Sequence, residues 1–558
     1  MLELRTERIK LDKNDRPIVN KTEHAASVRL VGGATVLAVA GIISKFLGAA
    51  FRIPLTNWIG AEGMSYYGAA YPVYSFFLIL ATAGLPVAIS RMVSERIAIG
   101  DYKNAHKSYK VSLYVMVAIG VLSFLICFFG AGIITQRMGN PDAKYSIMAI
   151  APALLLAPIA SSFRGYFQGQ QNMFPTAISE ICEQFFRVIV GLTLSYILIS
   201  KGLQYASAGA TFGASAGLIA ALVVLPIIYK KTSANRQARI NESTNPEEST
   251  KSLAKELVEI ALPITIGSTI MPLMWIIDAG IVMTRLQATG WSLAMSKVKY
   301  GLISGFCDPL VAFPGVFVDA ISISLIPAVT AAFTLKRKDE LDHNIQTGIK
   351  TMMVVAYPCA IGIIVLAAPI LHLLYPAQPD EVEMAVPLLQ ITALTVITLS
   401  MMRTFSSCLQ GIGKMVLPVI NLIIGAVAKI ILSYVLVGIP AINVNGAAVG
   451  SVCAYLIAGV LNYRALKKYD NIDIDLKGTF ISPFISSGIM GVATIAVYKL
   501  LYAVCGSNAL STLIAILVAV VMYFVLIFVT KTVSKEEAYM LPKGDMIVRV
   551  ANKLHLIR

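Results

Sequence analysis

Lysines, arginines and carboxylates recur inside stretches of this sequence that are otherwise apolar, where their chemistry is to hold one another or a charged guest. Lys45 and Arg52 stand seven residues apart, which puts both on one face of a helix. A later apolar stretch carries Glu180, Glu183 and Arg187, with Glu183 and Arg187 at the i, i+4 spacing of an intrahelical ion pair. Asp278 and Arg285 repeat the seven-residue interval, and Asp308 and Asp319 share a run interrupted by Pro309, Pro314 and Pro327. A charged side chain at mid-bilayer costs about 2.5 to 3.5 kcal/mol on insertion scales, so such a set survives only as ion pairs or around a hydrated cavity. The cations suit an anionic guest, because guanidinium and ammonium groups make charge-assisted hydrogen bonds to phosphate. The three aspartates suit a proton or a monovalent cation, or the capping of broken helices. Arg285 and Lys429 could equally snorkel to an interface.

Other chemistries lack their residues. His24, His106, His343, His372 and His555 are scattered, and the seven cysteines form no CxxC and no Cys/His cluster. No metal site is expected, and the cysteines read as small apolar packing groups. There is no GxxxxGK[ST] phosphate loop. Short loops without clustered acids argue against an enzyme of lipid-linked sugar synthesis. No cofactor is expected, and transport would draw on the membrane potential or a monovalent cation.

The elements that must position these charges are membrane helices. The chain has 558 residues, 57% hydrophobic and 14% charged, with a mean hydropathy of +0.74, which is no soluble globular composition. Apolar runs of roughly 20 residues, the length of a transmembrane helix, recur about fourteen times between residues 31 and 530. The eighth, over 301–333, is expected to be kinked or broken at its prolines. The first 25 residues are polar, carry both charge signs and do not read as a cleaved signal peptide. The net charge of +15 does not indicate nucleic acid, because the basic residues gather in alternate loops. The positive-inside rule then predicts both termini and the basic linker in the cytoplasm, against anionic lipid.

The array is duplicated. Phe163, Gln168, Gly169 and Met173 recur at one offset as Phe405, Gln410, Gly411 and Met415. Pro86 matches Pro327, which also pairs Arg96 with Arg337 and Asp101 with Asp342; Arg187 matches Lys429, and Arg52 falls opposite Arg285. Six helices per copy is an even number, so the copies are parallel in topology, as in transporters that bind substrate between two halves. The expected organisation is a tail over 1–28, an N-lobe over 29–229, a basic linker over 230–256, a C-lobe over 257–466, two further helices over 467–530 and a tail over 531–558.

Ser161-Ser162-Phe163-Arg164-Gly165-Tyr166-Phe167-Gln168-Gly169-Gln170-Gln171-Asn172-Met173, with Glu183-Gln184-Phe185-Phe186-Arg187, resembles the polysaccharide-transporter branch of the MATE/MOP flippase superfamily. Gly84-Leu85-Pro86-Val87-Ala88-Ile89-Ser90-Arg91 and Ser44-Lys45-Phe46-Leu47-Gly48 extend the likeness to the stage V sporulation protein B group, which includes MurJ-type lipid II flippases. The resemblance implies two six-helix lobes alternating between inward-open and outward-open states, and the movement of undecaprenyl-diphosphate-linked sugars to the outer leaflet. It also implies a cationic cavity containing Lys45 and Arg52, and a lipid-tail groove on the last two helices. One departure is visible: the family's eighth-helix Asp-Arg element reads Asp308-Pro309-Leu310-Val311-Ala312-Phe313-Pro314 here, without its arginine.

The expected fold is thus all-α, about 14 transmembrane helices in two parallel repeats plus two. The expected function is a flippase for a lipid-linked cell-wall precursor, lipid II first, in the bacterial plasma membrane. Its substrate-binding residues would be drawn from Lys45, Arg52, Arg164, Glu183, Arg187 and Arg285, and its ion-coupling residues from Asp278, Asp308 and Asp319. Expected partners are the lipid-linked glycan, membrane lipids and other cell-wall synthesis proteins, with no nucleic acid. The alternatives are a flippase for a teichoic-acid or other lipid-linked polysaccharide unit, serving vegetative growth or sporulation, and a cation-coupled drug exporter, which would use an acidic cavity.

Overall fold

The structure, a computed structural model, describes residues 21–470, 475, 477–530, 532 and 549; the expected terminal tails lie outside these residues, apart from 21–28, 532 and 549. Among the described residues every regular element is helical. Thirteen segments are long and apolar enough to cross a membrane, and the first, Val39–Ala98, has 60 residues, enough for two crossings. The fourteenth pass is recovered by the bend at Gly60, whose φ of 58° lies in the left-handed region that costs glycine nothing.

Helices α1 (Lys21–Thr82), α2 (Leu85–Ala98), α3 (Tyr102–Arg137), α4 (Lys144–Gly169), α5 (Phe174–Leu198) and α6 (Leu203–Lys231) form a first bundle. A short linker helix, α7 (Ser233–Glu242), leads to α8 (Thr250–Ala288). The second bundle continues with α9 (Leu293–Gly301), α10 (Asp308–Thr334), α11 (Lys338–Val365), α12 (Ala367–Leu374), α13 (Pro379–Gly411), α14 (Val416–Val437) and α15 (Asn445–Asp470). Two last helices, α16 (Ser482–Cys505) and α17 (Asn508–Val529), pack on each other and on α11 and α12. Large apolar side chains such as Phe129, Ile133 and Val492 stand exposed on the outside, as lipid-facing positions should.

The sequence repeat has a packing cause. A Cβ on Gly169 would stand 2.8 Å from the Ser90 carbonyl of α2, and one on Gly411 would stand 2.6 Å from a Val329 methyl of α10. In each bundle the repeated glycine lets a long helix lie directly on the proline-started or proline-kinked helix beside it. The pairs α2 with α4, α4 with α6 and α5 with α6 recur as α10 with α13, α13 with α15 and α14 with α15.

The eighth span breaks as its prolines require. Residues Leu302–Cys307 form a π-helical turn between α9 and α10. Pro309 cannot donate a hydrogen bond and crowds the preceding turn, leaving carbonyls free for other donors. Those carbonyls are the hinge of the site.

Candidate functional site

Arg52 donates to the Ser304 carbonyl at 2.7 Å, and Thr56 and the Tyr375 hydroxyl reach the Gly305 carbonyl at 3.5 and 3.3 Å. The broken helix of the second bundle therefore receives an arginine of the first. The Arg52 guanidinium also lies over the Tyr67 ring, 5.2 Å from its centroid. Tyr67 stacks on Tyr71 with centroids 5.4 Å apart and planes 12° from parallel. Arg187 lies over the Tyr71 ring at 5.3 Å and donates to the Tyr71 and Tyr67 hydroxyls at 3.1 and 3.4 Å. Each ring of the stack thus carries one guanidinium. Among the described residues no carboxylate makes an ion pair with either, so both keep their charge for another partner.

Glu183 does not pair with Arg187, contrary to the expectation from spacing. Its carboxylate takes Arg164 of α4 at 2.8 Å, while Arg164 Nε donates to Ser179 at 3.0 Å. The i, i+4 geometry permits the intrahelical pair, but Arg187 turns to the tyrosines of α1 and Glu183 to the planar fork one helix away. Arg164 is accordingly engaged within the first bundle and is not free like Arg52. Arg285 is also set apart: it sits near the end of α8, over the Tyr434 ring at 4.2 Å and bonded to the Tyr434 carbonyl. Asp278 is neutralised by the buried Lys429, 3.1 Å away, and accepts from Ser433. Lys429 therefore does not snorkel.

Asp308 stands exposed in the first turn of α10, where a helix N-terminus favours a carboxylate. Asp319 pairs with Arg403 of α13 and lies 3.9 Å from Lys45 of α1. Arg403 escaped the sequence reading because it falls at the edge of its apolar run; its match to the span's arc of polar residues Thr404, Ser406 and Ser407 was the available signal. Glu180 stays half-buried next to the Arg164 pair.

The two bundles meet at the end away from the linker, and the linker-side half of α8 also lies on α2, where Gly84 faces the Ala261 backbone. Lys297 of α9, 7% exposed, meets Asp142 of the first bundle at 2.6 Å, Glu62 at 3.6 Å and the Tyr66 hydroxyl at 3.1 Å. Glu381 accepts from the Ala61 amide, freed by the bend at Gly60, at 2.7 Å. Asn57 donates to the Leu374 carbonyl and accepts from Ala377. At the linker end, Arg96 grips Glu248 and Glu256, both at 2.7 Å. Asp101 caps α3 through the Asn104 amide and takes the Ser243 hydroxyl, and Asn104 binds the Pro246 carbonyl and the Glu248 amide. Burial alone would raise the Asp101 carboxyl, yet bonds from Asn104, Ser243 and Asn245 hold it below the usual range. The repeat partners Arg337 and Asp342 instead bind Glu340 and Lys338 next to them.

The seven cysteines are all free, and no cluster able to hold a metal occurs among the described residues.

The profile of the family described as "Polysaccharide biosynthesis protein" matches residues 30–333, and that described as "MatE" matches residues 304–435. An uncharacterized membrane protein of Bacillus subtilis (strain 168), YabM, is 32% identical over 84% of this chain and 86% of its own. Lipid II flippase MurJ of the same organism is 29% identical over 84% of this chain and 88% of its own. Among solved structures, an inward-facing multidrug resistance MATE family transporter of the MOP superfamily has a TM-score of 0.66 at 15% identity, covering 76% of this chain and 94% of that one. Lipid II flippase MurJ in an inward closed conformation has a TM-score of 0.61 at 17% identity, covering 88% of this chain and 98% of that one.

Proposed function

Because the chain belongs to the polysaccharide biosynthesis protein family of the MOP superfamily, we propose that it flips an undecaprenyl-diphosphate-linked cell-wall precursor, lipid II, from the inner to the outer leaflet of the bacterial plasma membrane. The observation that carries this reading is the pair Arg52 and Arg187 on the Tyr67–Tyr71 stack, two cations in a membrane bundle that make no ion pair with a carboxylate among the described residues. A diphosphate supplies the missing charge, and the arginine fork matches its oxygens. Diphosphate and sugars cannot cross hydrocarbon without such a host, whereas the polyprenyl tail never needs to leave it.

The seam supports alternating access. With the far end closed by Lys297, Glu381 and Asn57, the headgroup enters from the linker side and binds Arg52 and Arg187. The far-end contacts then part to release it. Both termini and the linker lie in the cytoplasm in this reading, and binding of an anion is coupled to the membrane potential. Depletion of the protein tests the substrate: lipid II should accumulate on the inner leaflet. Accumulation of a teichoic-acid or capsular precursor, with lipid II unchanged, would reassign it.

A further inference from the structure

Among the charged contacts of the two bundles, one differs in kind. The Arg164–Glu183 and Asp278–Lys429 pairs are enclosed, each within one bundle, and their side chains are no more than 18% exposed. Asp319 is 44% exposed, and so are its partners, Arg403 at 34% and Lys45 at 50%. Its two oxygens face two cations, Oδ1 toward Arg403 of the second bundle and Oδ2 toward Lys45 of the first. A single carboxylate therefore lies between cations that belong to opposite bundles. Exposed pairs of this sort exchange partners readily, because water screens them and neither ion is committed to a dry site.

We propose that Asp319 is a specificity-determining residue, a tethered anion that occupies the gap between Lys45 and Arg403 in the empty transporter and that only a diphosphate displaces. The inference rests on the function proposed above. It addresses a selection problem that the arginines leave open. Most bilayer phospholipids carry one phosphate and vastly outnumber any diphosphate lipid, so a bare cationic site would fill with them. A diphosphate brings more charge and more acceptor oxygens than a carboxylate and wins the exchange; a single phosphate diester, with one negative charge, competes with Asp319 on equal charge and lacks the tether. The built-in competitor refuses the abundant ligand at some loss of affinity for the right one, which is how specificity by opposition works. Once displaced, Asp319 faces an anion it repels, while Lys45 and Arg403 are bridged by the guest across the two bundles.

The test uses the full chain in nanodiscs and two probes: undecaprenyl diphosphate and the phosphate diester phosphatidylglycerol. The native protein should prefer the diphosphate. Asp319→Asn should erase about tenfold of that preference, chiefly by gaining affinity for phosphatidylglycerol. Asp319→Glu, which keeps the charge and covers the case of a misfolded asparagine variant, should keep most of the preference. Arg403→Gln should weaken diphosphate binding. An unchanged preference in Asp319→Asn with native thermal stability, or a loss of diphosphate affinity in that variant, overturns the role of Asp319 alone. Failure of the native protein to prefer the diphosphate, with binding indifferent to Arg52→Ala, overturns the functional reading and this inference together.

Discussion

Lys429 and Asp278 stand 3.1 Å apart across α14 and α8, at the positions that the internal repeat matches to Arg187 and Lys45. The duplicated scaffold thus holds opposite charges in one bundle and two cations in the other. In one half the matched charges pair with each other, and in the other they do not. The asymmetry lies in side chains laid over a symmetric packing.

The Lys429–Asp278 contact should behave as a structural pair. Lys429→Gln or Asp278→Asn alone leaves an unmatched buried charge and should cost about 3 to 5 kcal/mol, whereas the double variant should recover most of the loss. Thermal unfolding midpoints in detergent would show it, and a double variant no better than the singles would contradict it.

Glu183 should couple to Arg164 and not to Arg187. A double-mutant cycle on Glu183→Gln and Arg164→Gln should give an interaction of about 1 to 3 kcal/mol, and the cycle with Arg187→Gln close to zero. In transport assays at matched protein levels, Glu183→Gln should fail to rescue Arg187→Gln. Full activity in that double variant would return Arg187 to a structural role.

The Lys297–Asp142 bridge should open during each cycle. In a background lacking the seven native cysteines, joining Lys297→Cys to Asp142→Cys with a short bismaleimide should stop transport while leaving substrate binding from the linker side. Undiminished flipping in the cross-linked protein would mean that the far end need not part.

The linker clasp should resist all but strong acid. Asp101 has its carboxyl lowered in the folded state, so its contribution is fully present above the unfolded value, roughly 4. It is lost only as pH falls through the lower folded value. Proteolytic nicking near Ser243 should be flat from neutral pH to about pH 5 and rise below about pH 4, and Asp101→Asn should be nicked at neutral pH. Nicking that rises between pH 7 and 5 would count against the clasp.

Orientation is checked by labelling. A cysteine at Thr244 on the linker should resist impermeant thiol reagents in intact cells, and one at Glu383, which is 71% exposed at the far end, should react. Ser65 would be a poor probe because it is fully buried. The opposite pattern would invert the charge-based topology.

Apolar run length and the repeated motif made the helices and the duplication readable, because both depend on residues near in sequence or on a regular offset. Gly60 was not readable as a bend within one continuous helix, since the left-handed conformation it adopts leaves no mark beyond a glycine. Lys45 and Arg52 were legible as cations on one face. The partners of Glu183 and Arg187 were not, because each lies on another helix: spacing shows who could pair within an element, and tertiary packing decided otherwise. Arg403 was hidden at the end of its span, and the tyrosine stack was hidden because Tyr67 and Tyr71 look like ordinary aromatic filling.

The bend at Gly60 also makes α1 a lever. One arm bears Lys45 and Arg52, the other bears Tyr67 and Tyr71, and the amide just past the fulcrum is held by Glu381 from the opposite bundle. Releasing that amide at the far end would swing one arm against the other and shear the Arg52–Tyr67 contact. The force that opens the exit would then loosen the grip on the cargo in the same stroke, so that release and opening become one mechanical event.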